Sequence, residues 1–219
     1  DQTSVNIAAA VGVNVTAHKA KALITGDYSA ESFDAKAENS ANYRAYATGA
    51  SVVIPDPKVN GNVLSMGVAV SVNHNEADVK LAGNLSSTNG VKANSILRQN
   101  LDDRFAGLLA AQSLAGAVGS SGQGVGLAGA VSVVKTYGKS SAQILSGAVI
   151  EGGDVVVDAL DKSRIAVRAG GLTAGGSTVA LGASFALVYD ENETLATVGN
   201  GASISADSLS VKAEKQAVS

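Results

Sequence analysis

From Ser205 to Glu214 the side chains alternate: Leu209, Val211 and Ala213 are apolar, while Ser208, Ser210, Lys212 and Glu214 are polar. A period of two is that of a strand with one buried face. The same parity recurs upstream in Phe33, Ala35 and Ala37, in Val91 and Ala93, and in Val155, Val157 and Ala159. These positions, Val157 and Val211 among them, are expected to face inward. Asn89 alone breaks the inward set, either as a buried, backbone-satisfied amide or through a local register slip.

Each alternating stretch follows a run of small residues: Val11 to Val15, Met66 to Val72, Ala128 to Val133, and Leu181 to Ala186. Gly12, Gly67, Gly129 and Gly182 mark these runs at spacings of 55, 62 and 53 residues. Lys36, Lys92, Asp158 and Lys212 mark the alternating strands at 56, 66 and 54. Two independent markers with a shared period define a fourfold repeat over approximately 5–60, 61–122, 123–176 and 177–219. Turns rich in Gly, Asn, Asp and Ser, such as Gly199-Asn200-Gly201 and Gly152-Gly153-Asp154, separate the strands.

Repetition favours a solenoid over a sandwich, because each turn of a solenoid offers the next turn the same shape. The predicted fold is therefore all-β: one right-handed parallel β-helix over 1–219, built from four degenerate repeats. A third strand group, Ser163 to Gly170, matches Tyr43 to Ala47 and more loosely Asp103 to Ala106. Each repeat would thus hold two to three turns of about 20 residues, and the chain a rod on the order of 50 Å long.

Two stretches interrupt the pattern. In 96–111, Leu97, Leu101, Phe105 and Leu108 recur at helical spacing, with Asn94 or Ser95 as N-cap and Gly116 beyond the end, which predicts a short amphipathic helix. Val53 to Pro57 cannot be central strand, since each proline lacks a ladder donor. Insertions of this kind are where solenoids usually bind. The candidate interaction residues are accordingly Pro55, Asp56, Pro57, Arg98, Asp102, Asp103 and Arg104.

Composition narrows the function classes. With 46% apolar but only 4% aromatic residues, the interior must be built from small side chains. A formal charge of -3 gives no basic field for nucleic acid. Cysteine is absent, which removes disulfides, thiolate metal sites and a thiol nucleophile, and suits an exported bacterial protein. The most apolar stretch, from Phe105 to Val134, is broken by Gln112, Ser113, Ser120, Ser121 and Gln123, so no membrane-spanning helix is expected. The chain opens at Asp1 without a signal-like run and ends inside a strand pattern, which reads as a piece of something longer.

Gly199 to Ala206 followed by Leu209, Val211 and Ala213, with the preceding Gly182 to Ala186 run, resembles the repeats of very large secreted bacterial adhesins. These are the leukotoxin-type filamentous adhesins and, more distantly, the filamentous haemagglutinins. The resemblance spans all four copies and is best in the third and fourth. It implies a parallel β-helix, export by a type V route to the medium or cell surface, and a role in attachment or toxin display. The partners it implies are flanking repeats of the same parent chain and a host-cell or matrix receptor. End-to-end self-association through exposed strand edges is a further expectation.

Candidate chemistry is sparse, and no catalytic residue, cofactor or metal is assigned. His18 and His74 fall at similar places in their copies, but two or three turns apart they are too distant to share an ion. Asp190-Glu191-Asn192-Glu193 clusters oxygen ligands of the kind calcium takes, without the ligand spacing of a dedicated loop. Gly122 to Gly126 lacks the Lys-Ser/Thr pair of a phosphate loop. The alternative to a structural and adhesive stalk is a carbohydrate-active β-helix, enzyme or binding module, for which Asp154, Asp158 and Asp161 are the acids to consider.

Overall fold

The computed structural model describes residues 2–52, 59–100, 111–119, 124–175 and 179–218. The described residues contain sixteen strands and no helix. All strand pairs are parallel, and every pair joins one repeat to the next. The chain is a β-solenoid, as its alternation and repetition predict.

One repeat makes one turn, or rung, of four strands. A long strand comes first: β1 (Gln2–Ile24), β5 (Val59–Leu81) and β9 (Val125–Ile144), broken in the last rung into β13 (Val179–Asp190) and β14 (Glu193–Val198). A short strand follows: β2 (Tyr28–Ala30), β6 (Asn84–Ser87), β10 (Val149–Glu151) and β15 (Ser203–Ser205). The return begins with β3 (Phe33–Ala41), β7 (Gly90–Gln99), β11 (Asp154–Arg164) and β16 (Ser208–Val218). It continues through β4 (Ala45–Val52), β8 (Ala111–Gly119) and β12 (Val167–Gly175). Equivalent strands stack into four sheets, here A, B, C and D in that order along the rung.

Turn length and height correct the expected dimensions. Gln2 pairs with Val59 and Asp154 with Ser208, so a turn takes more than fifty residues, not about twenty. Four rungs at roughly 4.8 Å rise only about 14 Å between the first and last strands, whereas a 23-residue strand extends about 70 Å. The coil is wide and short. The misjudgement arose from counting each strand group as a turn, when the groups are sides of one turn.

Register corrects the markers by one or two residues. Gly12 pairs with Ala69, and Gly67 with Ala130. Lys36 pairs with Asn94, which pairs with Asp158, so Lys92 belongs one step earlier in the column of Asp34. A slip of two in the alternating strands preserves facing, whereas the slip of one at Gly129, which pairs with Met66 and Ala183, turns that glycine outward while Gly12 and Gly67 face inward. The inward columns Phe33-Val91-Val155-Leu209 and Ala35-Ala93-Val157-Val211 therefore stand as the alternation predicts. Asn89 is not in that column: it lies exposed in the bend before β7 and donates from Nδ2 to Glu31 Oε1 at 2.9 Å.

The predicted helix over 96–111 is corrected at its two ends. Ile96 to Gln99 complete β7, Asn100 turns the chain in a left-handed conformation (φ 53°), and Ala111 and Gly116 belong to β8. Residues 101–110 lie outside the described residues. Registers nevertheless place extra chain there, since Phe33 pairs 58 residues on, with Val91, and Ala45 pairs 66 residues on, with Ala111.

Each rung encloses two unlike lobes. Where sheets A, B and C surround it, the interior is apolar, with Val79, Leu81, Ile144, Leu85, Ile150, Val91, Val155 and Val157 packed together. Where sheet A faces sheet D, the interior is built mainly from Gly, Ala and Ser, with a valine such as Val63 or Val134 at its margins. A β-carbon on Gly67 would sit 2.5 Å from the carbonyl oxygen of Leu114, closer than any side chain tolerates. The two sheets touch backbone to backbone. Their few hydroxyls are satisfied, as in Ser65 Oγ to Gly49 O (2.7 Å) and Ser132 Oγ to Arg168 O (2.6 Å). This lobe is a thin wing on a thicker prism.

Candidate interaction surface

A polar seam closes the coil where wing meets prism. Sheet A contributes the column Thr16-Asn73-Thr136-Asp190, and sheet C the column Asn39-Leu97-Asp161-Lys215. Asn39 Nδ2 donates to the carbonyls of His18 (2.7 Å) and Glu76 (2.9 Å), binding sheet C to two rungs of sheet A. Tyr43 donates its hydroxyl to Gln99 Oε1 at 3.0 Å. Asp161 accepts from Ser163 Oγ and from Asn192 Nδ2 at 3.1 Å, and Lys215 Nζ reaches Asp190 Oδ2 at 2.9 Å. Burial pushes the carboxyl of Asp161 above the ordinary range, against the pull of Ser163, Asn192 and Lys215. The seam joins the rungs and pairs many interior polar groups, although Gln99 Nε2, Asn192 Oδ1 and both amide atoms of Asn75 find no partner among the described residues.

The same geometry disperses the sequence's candidate chemistry. Asp154 and Asp158 point outward on β11 while Asp161 points inward, so the three acids do not converge on one sugar. Their columns bring no other acid: Asp158 stacks between Asn94 and Lys212. His18 and His74 lie on adjacent rungs, not two or three turns apart. His18 pairs with Asn75, an inward position, and His74 stacks on Tyr137 outside at 5.2 Å. In the acidic turn, Asp190 is held by Lys215 and Glu193 by Lys139 at 3.6 Å. No group of three metal-ligating side chains occurs among the described residues.

Of the predicted interaction residues, only Arg98 is described. It is not on a helix but projects from β7 beside Glu38, its Nε 3.3 Å from the carboxylate. Pro55, Asp56, Pro57, Asp102, Asp103 and Arg104 lie outside the described residues. Sheet C's outer wall around Arg98 is charged with both signs, and the Lys36 ammonium at 2.7 Å holds the Glu38 carboxyl below the usual range.

The outer face of the wing on sheet A is different in kind. Its outward positions read Val5, Ile7, Ala9, Val11, Val13 and Val15 on β1, then Leu64, Met66, Val68, Val70 and Val72 on β5. They continue as Val125, Leu127, Gly129, Val131 and Val133 on β9, and Val179, Leu181, Ala183, Phe185 and Leu187 on β13. Between its end rows no polar side chain interrupts this field; Asn62, beside Val5 and Val125, bounds it at one end. Val11 is 71% exposed and Val15 70%, with Ile7, Leu181 and Phe185 also well exposed. Polarity resumes at one boundary, where Lys135 lies over the rings of Tyr137 and Tyr189 at 4.6 Å each. The opposite outer face, on sheet D, mixes exposed Leu172 with Arg44, Gln112 and Arg168, and Arg44 donates to Gln112 at 3.1 Å.

Sequence reasoning missed this face because it used these runs only as repeat markers and did not read their alternation. The signal was present in Asn6, Gly12 and Asn14, the partners of opposite parity, which are small or polar yet face inward. No helix among the described residues is long and apolar enough to cross a membrane. No family model matches the chain, and no curated protein or solved structure shows significant similarity to it.

Proposed function

We propose that this chain is a structural and adhesive segment of a large secreted bacterial surface protein or filamentous toxin, a section of stalk and not a catalyst. The observation that carries the reading is the stacking of near-equivalent rungs whose first and last members keep unpaired edges. Long strand β1 on one side, and β13, β14 and β16 on the other, have a neighbour on one side only. Flanking repeats of a parent chain, or another molecule end to end, fit such edges with the same parallel ladder that joins the internal rungs. The resemblance to leukotoxin-type adhesin repeats and the absence of cysteine support display at the cell surface or release from it.

Antibodies raised against the folded chain test this directly. They are expected to label intact bacteria that produce the protein and to reduce attachment of those cells to host cells or matrix. Labelling only after lysis overturns the surface placement. Release of reducing ends from a polysaccharide panel by the purified chain overturns the non-catalytic reading in favour of a carbohydrate-active β-helix.

A further inference from the structure

We infer that the apolar outer face of sheet A is an interface between two copies of this chain, packed sheet on sheet. The inference concerns the folded chain itself and stands apart from the stalk reading. Ten residue steps from Val5 to Val15 and four stacked strands give a face of about 30 Å by 20 Å, roughly 600 Å² per copy. A pair of such faces buries about 1,200 Å², within the range of specific protein interfaces. The area suffices for a second copy.

The shape and charge of the face favour that occupant. Valine, leucine and isoleucine stand perpendicular to a parallel sheet, the form in which two sheets interdigitate about 10 Å apart. The wing also gains little from its own interior, where mostly glycine, alanine and serine separate sheets A and D. Most of its bulky side chains lie on the outside, and sheets bury their apolar face against another layer. An anionic lipid surface would instead favour an excess of free cations around the apolar area. Here there is no such excess: Lys19 is matched by Glu76 at 3.2 Å and Lys139 by Glu193 at 3.6 Å, which leaves Lys135, held over two tyrosine rings, as the single cation at the border among the described residues.

The test is sedimentation equilibrium of the 219-residue chain across a concentration series, compared with the double variant Val13→Lys, Phe185→Lys. Both residues are more than half exposed, so the lysines leave the isolated fold intact, which the circular dichroism spectrum checks. The native chain is expected to be dimeric, and the variant to dissociate with a Kd raised about 100-fold or more, because four ammonium groups would enter the interface. Should the variant prove misfolded, Val11→Thr with Leu181→Thr makes the same comparison with milder polarity. A monomeric native chain overturns the inference, as does association that both variants leave unchanged, which would place contact at the strand edges. Co-pelleting of a monomeric native chain with phosphatidylcholine or phosphatidylglycerol vesicles, abolished in the variant, overturns it in favour of lipid.

Discussion

Asp161 shows how one position in a rung decides what a carboxylate can do. It is fully buried, facing Ser163 on its own strand, Lys215 on the next rung of its sheet, and Asn192 and Asp190 across the seam. Burial raises its folded pKa above the unfolded value, so between the two the folded chain holds a proton that the unfolded chain has released. Stability therefore falls as pH rises through that interval, and is level below the unfolded pKa and above the folded one. The variant Asp161→Asn removes this dependence and is expected to be the more stable protein near neutrality. Urea unfolding of both proteins from about pH 4 to about pH 7 measures the difference. A variant less stable than the native chain at neutral pH would mean that the hydrogen bonds of the carboxylate outweigh its burial. Glu38 and Glu214, both lowered by lysine partners, contribute in the opposite sense and are common to both proteins. Alternation in the sequence already separates Asp158 from Asp161 by facing. What it does not reveal is that Lys215 stacks on Asp161 from the next rung of the same sheet and that Asn192 meets it from the sheet A side.

At the scale of the strand, legibility depended on how purely each face was composed. In β11 and β16 inward apolar residues alternate with outward polar ones, and the facing could be read without a structure. The second half of β7 has Ser95, Leu97 and Gln99 inward and Asn94, Ile96 and Arg98 outward, so neither face is pure. Leu97 then aligned with Leu101 and Phe105 at helical spacing, and a strand was taken for a helix. The wing strands mislead in a third way, because their bulky face is the outer one. The cause is the closeness of sheet D, which leaves room only for small residues inside. Gly67 and Gly129 separate these two environments experimentally. Gly67→Ala forces a methyl group onto the Leu114 carbonyl and is expected to cost about 1–3 kcal/mol. Gly129→Ala, on the outer face with no atom within 4 Å, should change stability by less than about 0.5 kcal/mol. Thermal unfolding of the two variants checks the pair, and equal losses would contradict the back-to-back packing of the wing.

For the whole molecule, the number of rungs matters as much as the pattern within one. The second and third rungs, with a neighbour on both sides, hold the fully buried positions; the last remains open, and the first is open along β1 but nearly closed along β3, where Ala35 is 4% exposed. The column Ala35-Ala93-Val157-Val211 expresses this in one inward position. Val157 in the third rung is 0% exposed, whereas Val211 in the fourth is 44% exposed despite pointing the same way. Facing follows from alternation, but burial follows from stacking, which the sequence of one repeat does not contain. Val211 was expected to be as buried as Val157, and it is not. The same substitution at the two sites is therefore predicted to have unequal effects. Val157→Asp places an unpaired charge in a closed apolar lobe and should cost several kcal/mol, about 3 or more, if the chain folds at all. Val211→Asp can hydrate its carboxylate through the open end and should cost about 1 kcal/mol or less. Urea unfolding of the two variants at one protein concentration measures the contrast. If Val211→Asp proves as damaging as Val157→Asp, the last rung is covered in solution, and a molecule stacked on the β16 edge is the cover that the parallel ladder provides.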